Sequence, residues 1–168
     1  KKPFLNVVIK KGTPKFKKNI KGKVFSLIQG ASGNNNYFHW MFDVRPKLIM
    51  LEKVYNLNEI DYFYSPQVKP WQLSTLSVFN IFKERLINSN HHRHIYADKI
   101  LAVSHPWYNK GRILNEAKNL PKWVINEIAF KFEKLGRKFE CGRKIFIDRR
   151  ESNFNHCQII NDEEIKTH

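Results

Sequence analysis

Several features that define other classes of protein are scarce in this chain of 168 residues. Its two cysteines, Cys141 and Cys157, are too few for a disulfide framework, and they lack the paired C-x-x-C spacing of a zinc site. The longest stretch without formal charge, Val24 to Phe42, includes three consecutive asparagines and His39, so it cannot cross a membrane. Acidic residues are also few, 15 against 30 Lys and Arg. What remains is a basic chain with enough apolar residues to bury a core.

The excess positive charge is concentrated at the start of the chain. The first 23 residues contain nine lysines and no acidic residue, out of a net charge of +15. Such a segment is typical of an arm that binds nucleic acid or another polyanion, and equally of a surface strand and loop whose lysines are only solvated. No recognised nucleic-acid-binding motif accompanies it. Both interpretations stay open.

Short apolar runs alternate with longer amphipathic ones, which predicts an α/β fold with a mostly parallel sheet covered by helices. Strands are predicted at 5–9, 24–28, 61–64, 99–103 and 145–148, and helices at 37–55, 72–87 and from 121 to about 135. Asn36 is the predicted N-cap of the first helix. Pro46 predicts a kink within it, because proline cannot donate to the carbonyl of Phe42. The predicted core stripe of this helix is Tyr37, Met41, Val44, Leu48, Leu51 and Tyr55.

The composition changes after Gly136 to a polar connector rich in Lys and Arg. A domain boundary is therefore predicted there, with one domain over residues 1–136 and the beginning of a second over 137–168. Asn161 and Glu164 resemble the cap of a further helix. Because the chain starts without Met and stops soon after that helix begins, we expect a fragment of a longer protein.

His39 and Asp43 are the best acid–base candidates. They lie four residues apart on the predicted first helix, so they project from one face and can touch. A carboxylate fixes the tautomer of an imidazole, which makes the pair a usable general base, although a plain ion pair is the alternative. The histidines at 91, 92 and 94 have no carboxylate or thiol at tight ligand spacing, and no Asp-x-Asp pair occurs, so no metal site is expected.

Arg149 and Arg150 are the best candidates for binding phosphate. They close the strand predicted at 145–148, and ligands of α/β proteins bind at the carboxyl ends of strands. Guanidinium groups also suit the oxygens of a diphosphate. Salt bridges to Asp148 or Glu151 are an equally good interpretation.

Residues 36–43, Asn-Tyr-Phe-His-Trp-Met-Phe-Asp, followed by Pro-Lys-Leu at 46–48, resemble the N-Y-x-H-W motif of family 61 glycosyltransferases, the capsular-polysaccharide-type group. Three later segments strengthen the resemblance in the right order. They are Pro-Lys-Trp at 121–123, Lys-Ile-Phe-Ile-Asp-Arg-Arg at 144–150 and Ile-Ile-Asn-Asp-Glu-Glu-Ile at 159–165. Two positions depart from the pattern: Asn155 stands where an arginine is common, and Arg45 where an apolar residue is usual.

The resemblance implies a two-domain GT-B enzyme that inverts configuration and needs no bound metal or other cofactor. It would transfer a sugar from a nucleotide-sugar donor to a hydroxyl of a glycan or protein, as in polysaccharide biosynthesis. Residues 1–136 would be most of a Rossmann-like acceptor-side domain, incomplete at its N-terminus, and 137–168 the truncated start of the Rossmann-like donor-side domain. His39 and Asp43 would face the cleft between these domains as base and orienting carboxylate, and Arg149 with Arg150 would contact the donor diphosphate. The glycine-rich segment of the family would follow His168, so this fragment alone is expected to be inactive.

Three function classes remain at this point. A glycosyltransferase would have the nucleotide-sugar donor and the glycan or protein acceptor as its partners. For it nucleic acid is not expected, membrane association is compatible but not encoded in this segment, and a bacterial enzyme would be cytoplasmic or peripheral to the membrane. A basic module would bind nucleic acid or another polyanion with steep salt dependence. The third class is an interaction protein derived from half an enzyme.

Overall fold

The computed structural model describes residues 15–28, 36–107 and 120–133, together with Glu164. The order of elements is β1 (Lys18–Ser26), a helical turn (Tyr37–His39), a π-helix (Trp40–Val44), α1 (Arg45–Glu52), β2 (Tyr62–Ser65), α2 (Pro70–Ser77), β3 (Leu86–Asn88), β4 (Ile95–Leu101) and α3 (Lys122–Glu133). Short 3-10 helices lie at Leu57–Glu59 and Lys83–Arg85. The strands predicted at 5–9 and 145–148 lie outside the described residues.

Backbone contacts divide the chain into two units, Lys1–Leu135 and Gly136–His168. All described residues except Glu164 belong to the first unit. The assignment of the two units to acceptor and donor domains stays a prediction.

The described strands form one four-stranded sheet in the order β3-β2-β1-β4, and every neighbouring pair is parallel. β1 is central, since Val24 lies opposite Tyr62 of β2 on one side and Ile100 of β4 on the other. The predicted α/β class is confirmed, and the order is compatible with a Rossmann-like fold. One connection is unusual for such a fold: residues 89–94, all of them described, join β3 to β4 through turns without a helix.

Alternation of side chains along the strands gives the sheet two apolar faces. On the larger face, Phe25 and Phe63 meet edge to face with ring centroids 6.2 Å apart. The helical segments cover this face with Trp40, Val44, Leu48, Ile49, Leu51 and Leu76, all of them buried. On the other face, Val24 packs with Ile20 and Ile87 in a small separate cluster.

Gly22 interrupts the regular pairing of β1. The register between β1 and β4 shifts between Ile20 and Lys23, and Gly22 has a φ of +108°. Two carboxylates accept the backbone N–H groups that the irregularity frees: Asp98 Oδ2 lies 2.7 Å from Gly22 N, and Asp61 Oδ2 lies 2.7 Å from Lys23 N. Glycine is required here because it adopts a positive φ without steric cost.

Replacement of Gly22 by alanine is expected to lower the free energy of unfolding by about 1–3 kcal/mol, because it adds backbone strain. The new methyl group would also overlap the carboxyl group of Asp61. Urea titration measures the change. Asn80, with a φ of 55°, offers the opposite control: Asn80→Gly should change stability by less than about 1 kcal/mol. An unchanged urea midpoint for Gly22→Ala would show that β1 relaxes without cost.

The helix that follows β1 changes type just before Pro46, where the sequence predicts a kink. Over Trp40–Val44 the backbone is π-helical, and the N–H of Arg45 bonds to the carbonyl of Trp40 five residues earlier. α1 then starts with Pro46 in its first turn, where its missing N–H costs little. The irregularity lies where it was predicted, and it takes the form of a short π-helix.

Two details of the predicted helices are wrong. The helix predicted at 72–87 ends at Ser77, because Asn80 adopts a left-handed conformation and the Ile81 N–H bonds back to the carbonyl of Leu76. The remainder of the predicted helix forms a 3-10 turn and β3. Tyr37, predicted as core, is 63% exposed and packs its ring against Trp71 instead.

Candidate active site

The helical segment after β1 brings together the acid–base pair predicted from the sequence. Asn36 is its N-cap, as predicted, and Asn36 Oδ1 accepts a hydrogen bond from the His39 N–H at 3.3 Å. His39 Nδ1 lies 2.7 Å from Asp43 Oδ2. Because an ionised carboxylate can only accept, the neutral imidazole has its proton on Nδ1 and its lone pair on Nε2. The His39 side chain is 33% exposed and that of Asp43 only 6%, so the imidazole remains reachable while the carboxylate is enclosed.

Two residues that follow β4 complete the surroundings of Asp43. Trp107 Nε1 donates to Asp43 Oδ1 at 2.8 Å. His105 Nε2 lies 3.8 Å from the same oxygen, and His105 Nδ1 accepts from the Trp107 backbone N–H at 3.3 Å. The ring proton of His105 is therefore on Nε2 and faces the carboxylate. Donors hold both oxygens of Asp43, which fixes the carboxylate in its orientation toward His39.

Trp107 makes a further contact with the helical segment, close to Pro46. In a regular α-helix the carbonyl of Phe42 would accept the N–H of residue 46, which proline lacks. Trp107 Nε1 lies 3.1 Å from that carbonyl oxygen and donates to it as well as to Asp43. The indole thus links the backbone of the helical segment to the carboxylate of Asp43.

These residues lie at the carboxyl ends of two neighbouring strands of the sheet. His39 follows the central strand β1, and His105 with Trp107 follows its neighbour β4. The chain runs from β1 to β2 on one side of β1, and β4 returns to the other side, so the order of the sheet reverses between β1 and β4. Open α/β sheets bind ligands outside the carboxyl ends of the strands at this reversal.

Lys47 adds a buried positive charge one turn after Asp43. Its side chain is almost fully buried, and Nζ donates to the carbonyl of Ile28, directly after β1, at 3.3 Å. Burial lowers the pKa of Lys47, and the negative charge of Asp43 opposes this effect. An imidazole, a carboxylate and an amine therefore share one helix face at the carboxyl edge of the sheet.

Arg45 leaves the helix on the side opposite Asp43 and is fully buried. Its guanidinium carbon lies 3.3 Å from the ring centroid of Phe132, and Nη1 contacts Met41 Sδ at 3.1 Å. Among the described residues, Nε and Nη2 have no hydrogen-bond partner. Burial lowers the pKa of Arg45 to about 9.

Of the four residues predicted for the site, the structure places His39 and Asp43 in contact. Arg149 and Arg150 lie outside the described residues, and their role stays a prediction. Within the part of the chain that is described, no group of three or more His, Cys, Asp or Glu could hold a metal ion.

Sequence reasoning missed His105 and Trp107 as members of the site. The signal that could have found them is positional, because both come soon after the strand predicted at 99–103. Residues at the carboxyl ends of neighbouring parallel strands meet at one edge of the sheet. The residue types alone gave no such indication.

Trp107→Phe tests whether the indole N–H holds the site together. The phenyl ring keeps most of the packing but donates no hydrogen bond, so we expect a loss of about 1–3 kcal/mol in the free energy of unfolding. Trp123→Phe is the matched control, since the N–H of Trp123 makes no hydrogen bond to any described residue. Equal losses for the two variants in urea titrations would show that the bonds of Trp107 contribute nothing.

Comparison with protein-family models, with curated proteins and with solved structures gives no match to this chain. No relative therefore assigns a function to any of these residues. The interpretation of the site depends on its geometry and on the sequence motif that contains it.

Proposed function

We propose that this chain belongs to an inverting glycosyltransferase of family 61, with GT-B architecture, that transfers a sugar from a nucleotide-sugar donor to a hydroxyl of a glycan or protein. The observation that carries the proposal is the His39–Asp43 pair, which Trp107 holds at the reversal point of a parallel sheet. Such a pair suits several reactions that need a base. The N-Y-x-H-W motif around it selects glycosyl transfer among them.

In this proposal His39 is the general base. Its Nδ1–H donates to Asp43, and Nε2 takes the proton of the acceptor hydroxyl as that oxygen attacks the anomeric carbon of the donor sugar. The bond from the anomeric carbon to the diphosphate oxygen breaks on the opposite side, so configuration is inverted. Asp43 stabilises the imidazolium that forms, and its charge is held in place by Trp107.

The departing nucleotide diphosphate carries the growing negative charge. We assign its binding to Arg149 with Arg150, whose guanidinium forks match phosphate oxygens. Positive side chains in this role replace the divalent cation that other glycosyl transfer sites use. The reaction is therefore expected to proceed without added metal.

The proposal is tested on the full-length protein with a panel of nucleotide-diphosphate sugars and candidate acceptors. We expect release of nucleotide diphosphate from a donor, undiminished by a chelator, and NMR of the product should show the inverted anomer. Binding to oligonucleotides that falls steeply with salt, with no binding of any nucleotide diphosphate, would overturn the proposal in favour of a polyanion-binding module.

A further inference from the structure

A basic surface with one exposed aromatic ring lies at the start of β1, at the end of the strand opposite the His39–Asp43 pair. Phe16 is 93% exposed, the largest exposure among the large apolar side chains of the described residues. Exposed lysines surround it in the sequence: Lys15, Lys17, Lys18 and Lys21. We call these five residues, together with Arg93, the basic tip.

The positive charges of the basic tip have no acidic partner within the described part of the chain. Among the described residues, no carboxylate forms an ion pair with any of its five cationic side chains. Lys18 Nζ instead lies 3.2 Å from His92 Nε2, and Lys17 Nζ lies 4.7 Å from the ring centroid of Tyr96. Phe16, Lys17 and Lys18 also line an open groove of about 550 Å³ with residues 91–94. The nearby Asp98 is engaged by the N–H of Gly22.

An exposed apolar ring among exposed lysines matches the interface of an anionic membrane. The ring can enter the region between headgroups and acyl chains, and the lysines attract anionic headgroups. Tyr96, 59% exposed beneath Lys17, adds an amphipathic ring of the type that is enriched at membrane interfaces.

The position of Phe16 favours a membrane over a single-stranded nucleic acid. Proteins that bind single-stranded nucleic acid present several aromatic rings along a groove, and successive bases stack on these rings. Phe16 lies before β1, not on a sheet face, and no ring of the described residues stacks with it. Tyr96 lies beneath Lys17, and the histidines at 91, 92 and 94 line the groove beside Phe16. Phe16 itself protrudes, with its ring available for insertion.

We propose that the basic tip docks this protein on anionic lipid bilayers as a peripheral surface. Attachment through a few lysines and one inserted ring is reversible. No described helix has the length and apolar content of a bilayer span. The inference does not depend on the proposed enzymatic activity, because the basic tip and the His39–Asp43 pair lie at different ends of β1.

The test is co-sedimentation of the full-length protein with vesicles of phosphatidylcholine, with and without phosphatidylglycerol, at low and high salt. We expect binding only to the anionic vesicles and its loss at high salt. The double variant Lys17→Ala, Lys18→Ala should bind them about 30-fold more weakly, since each lysine near such a surface contributes about 1 kcal/mol. Lys69→Ala with Lys83→Ala, which removes equal charge from exposed lysines elsewhere, should retain most of the binding.

Phe16→Ala should weaken binding by about threefold to tenfold through lost insertion, whereas Phe130→Ala, at a ring 63% exposed on α3, should not. Equal losses for the two lysine pairs would overturn the proposal, because net charge alone would then explain binding. Tighter binding of a single-stranded oligonucleotide than of anionic vesicles, abolished by the same Lys17 and Lys18 variant, would also overturn it and assign the tip to nucleic acid. Far-ultraviolet circular dichroism checks that each variant is folded.

Discussion

His39→Ala is expected to lower the turnover of the full-length protein by about a hundredfold or more, with donor affinity little changed. The reason is that Nε2 of His39 removes the acceptor proton only during the chemical step, whereas donor binding is assigned to other residues. Steady-state kinetics with a saturating acceptor, together with a donor dissociation constant from calorimetry, separates the two effects. Normal turnover of the folded variant would remove His39 from the mechanism.

Further variants distinguish a base from a structural histidine. His39→Gln can still donate to Asp43 but cannot take a proton at neutral pH, so it should be as inactive as alanine. Asp43→Asn should also lose activity, and combining it with His39→Ala should cost no more than His39→Ala alone, since the two residues act as a unit. Lys83→Ala, on the exposed 3-10 helix Lys83–Arg85, is the control and should keep full turnover.

Arg45→Met is expected to raise the free energy of unfolding by about 1–4 kcal/mol. The guanidinium is fully buried, and two of its nitrogens have no hydrogen-bond partner among the described residues. The contacts with Phe132 and Met41 offset only part of the cost of desolvation. Methionine has a similar length and an apolar, flexible side chain that can pack against Phe132. Urea or thermal unfolding measures the gain.

The gain in the free energy of unfolding from Arg45→Met should become smaller at high pH. Burial lowers the pKa of Arg45 to about 9, whereas in the unfolded chain it keeps its usual high value. Above about pH 9 the folded state therefore binds fewer protons than the unfolded state, and the wild-type protein recovers stability as the pH rises. Below pH 9 the arginine is charged in both states and the cost is fully present. The advantage of Arg45→Met should be constant from neutral pH to about 9 and shrink above it.

Arg85 provides the control of opposite sign. Its guanidinium donates to the carbonyls of Asn80, Leu57 and Ile60. Arg85→Met should therefore destabilise the protein, because three acceptors lose a charged donor. If Arg45→Met also destabilised it, Arg45 would have to possess a partner that compensates its burial.

Local signals in the sequence were sufficient for the elements with strong boundaries. The N-cap Asn36, the irregularity at Pro46 and the helix that begins after Pro121 occur where they were predicted. Each depends on the chemistry of one or two residues, which tertiary structure does not override. The contact of His39 with Asp43 follows in the same way from their spacing on a helix.

Elements decided by long-range packing could not be predicted in this way. The apolar spacing from Leu73 to Leu86 fits a helix, but the left-handed Asn80 breaks it, and the residues after it pair with β2. β3 is only three residues long, too short for its own alternation to be seen. For the same reason the sequence predicted the contact of His39 with Asp43 but not that of Trp107 with Asp43. Trp107 reaches Asp43 only through the pairing of β4 with β1.

That pairing has a consequence for how the protein is made. Trp107 and Asp43 are 64 positions apart, and at a synthesis rate of about 5–20 residues per second the ribosome needs roughly 3–13 s to pass from one to the other. Until then β2 is the only described strand that can pair with β1, and the edge that β4 later covers is open to neighbouring nascent chains. A chaperone that shields this edge during translation should raise the yield of folded protein. The hydrogen bond from Trp107 to Asp43 can form only after β4, the strand that covers this edge, has left the ribosome.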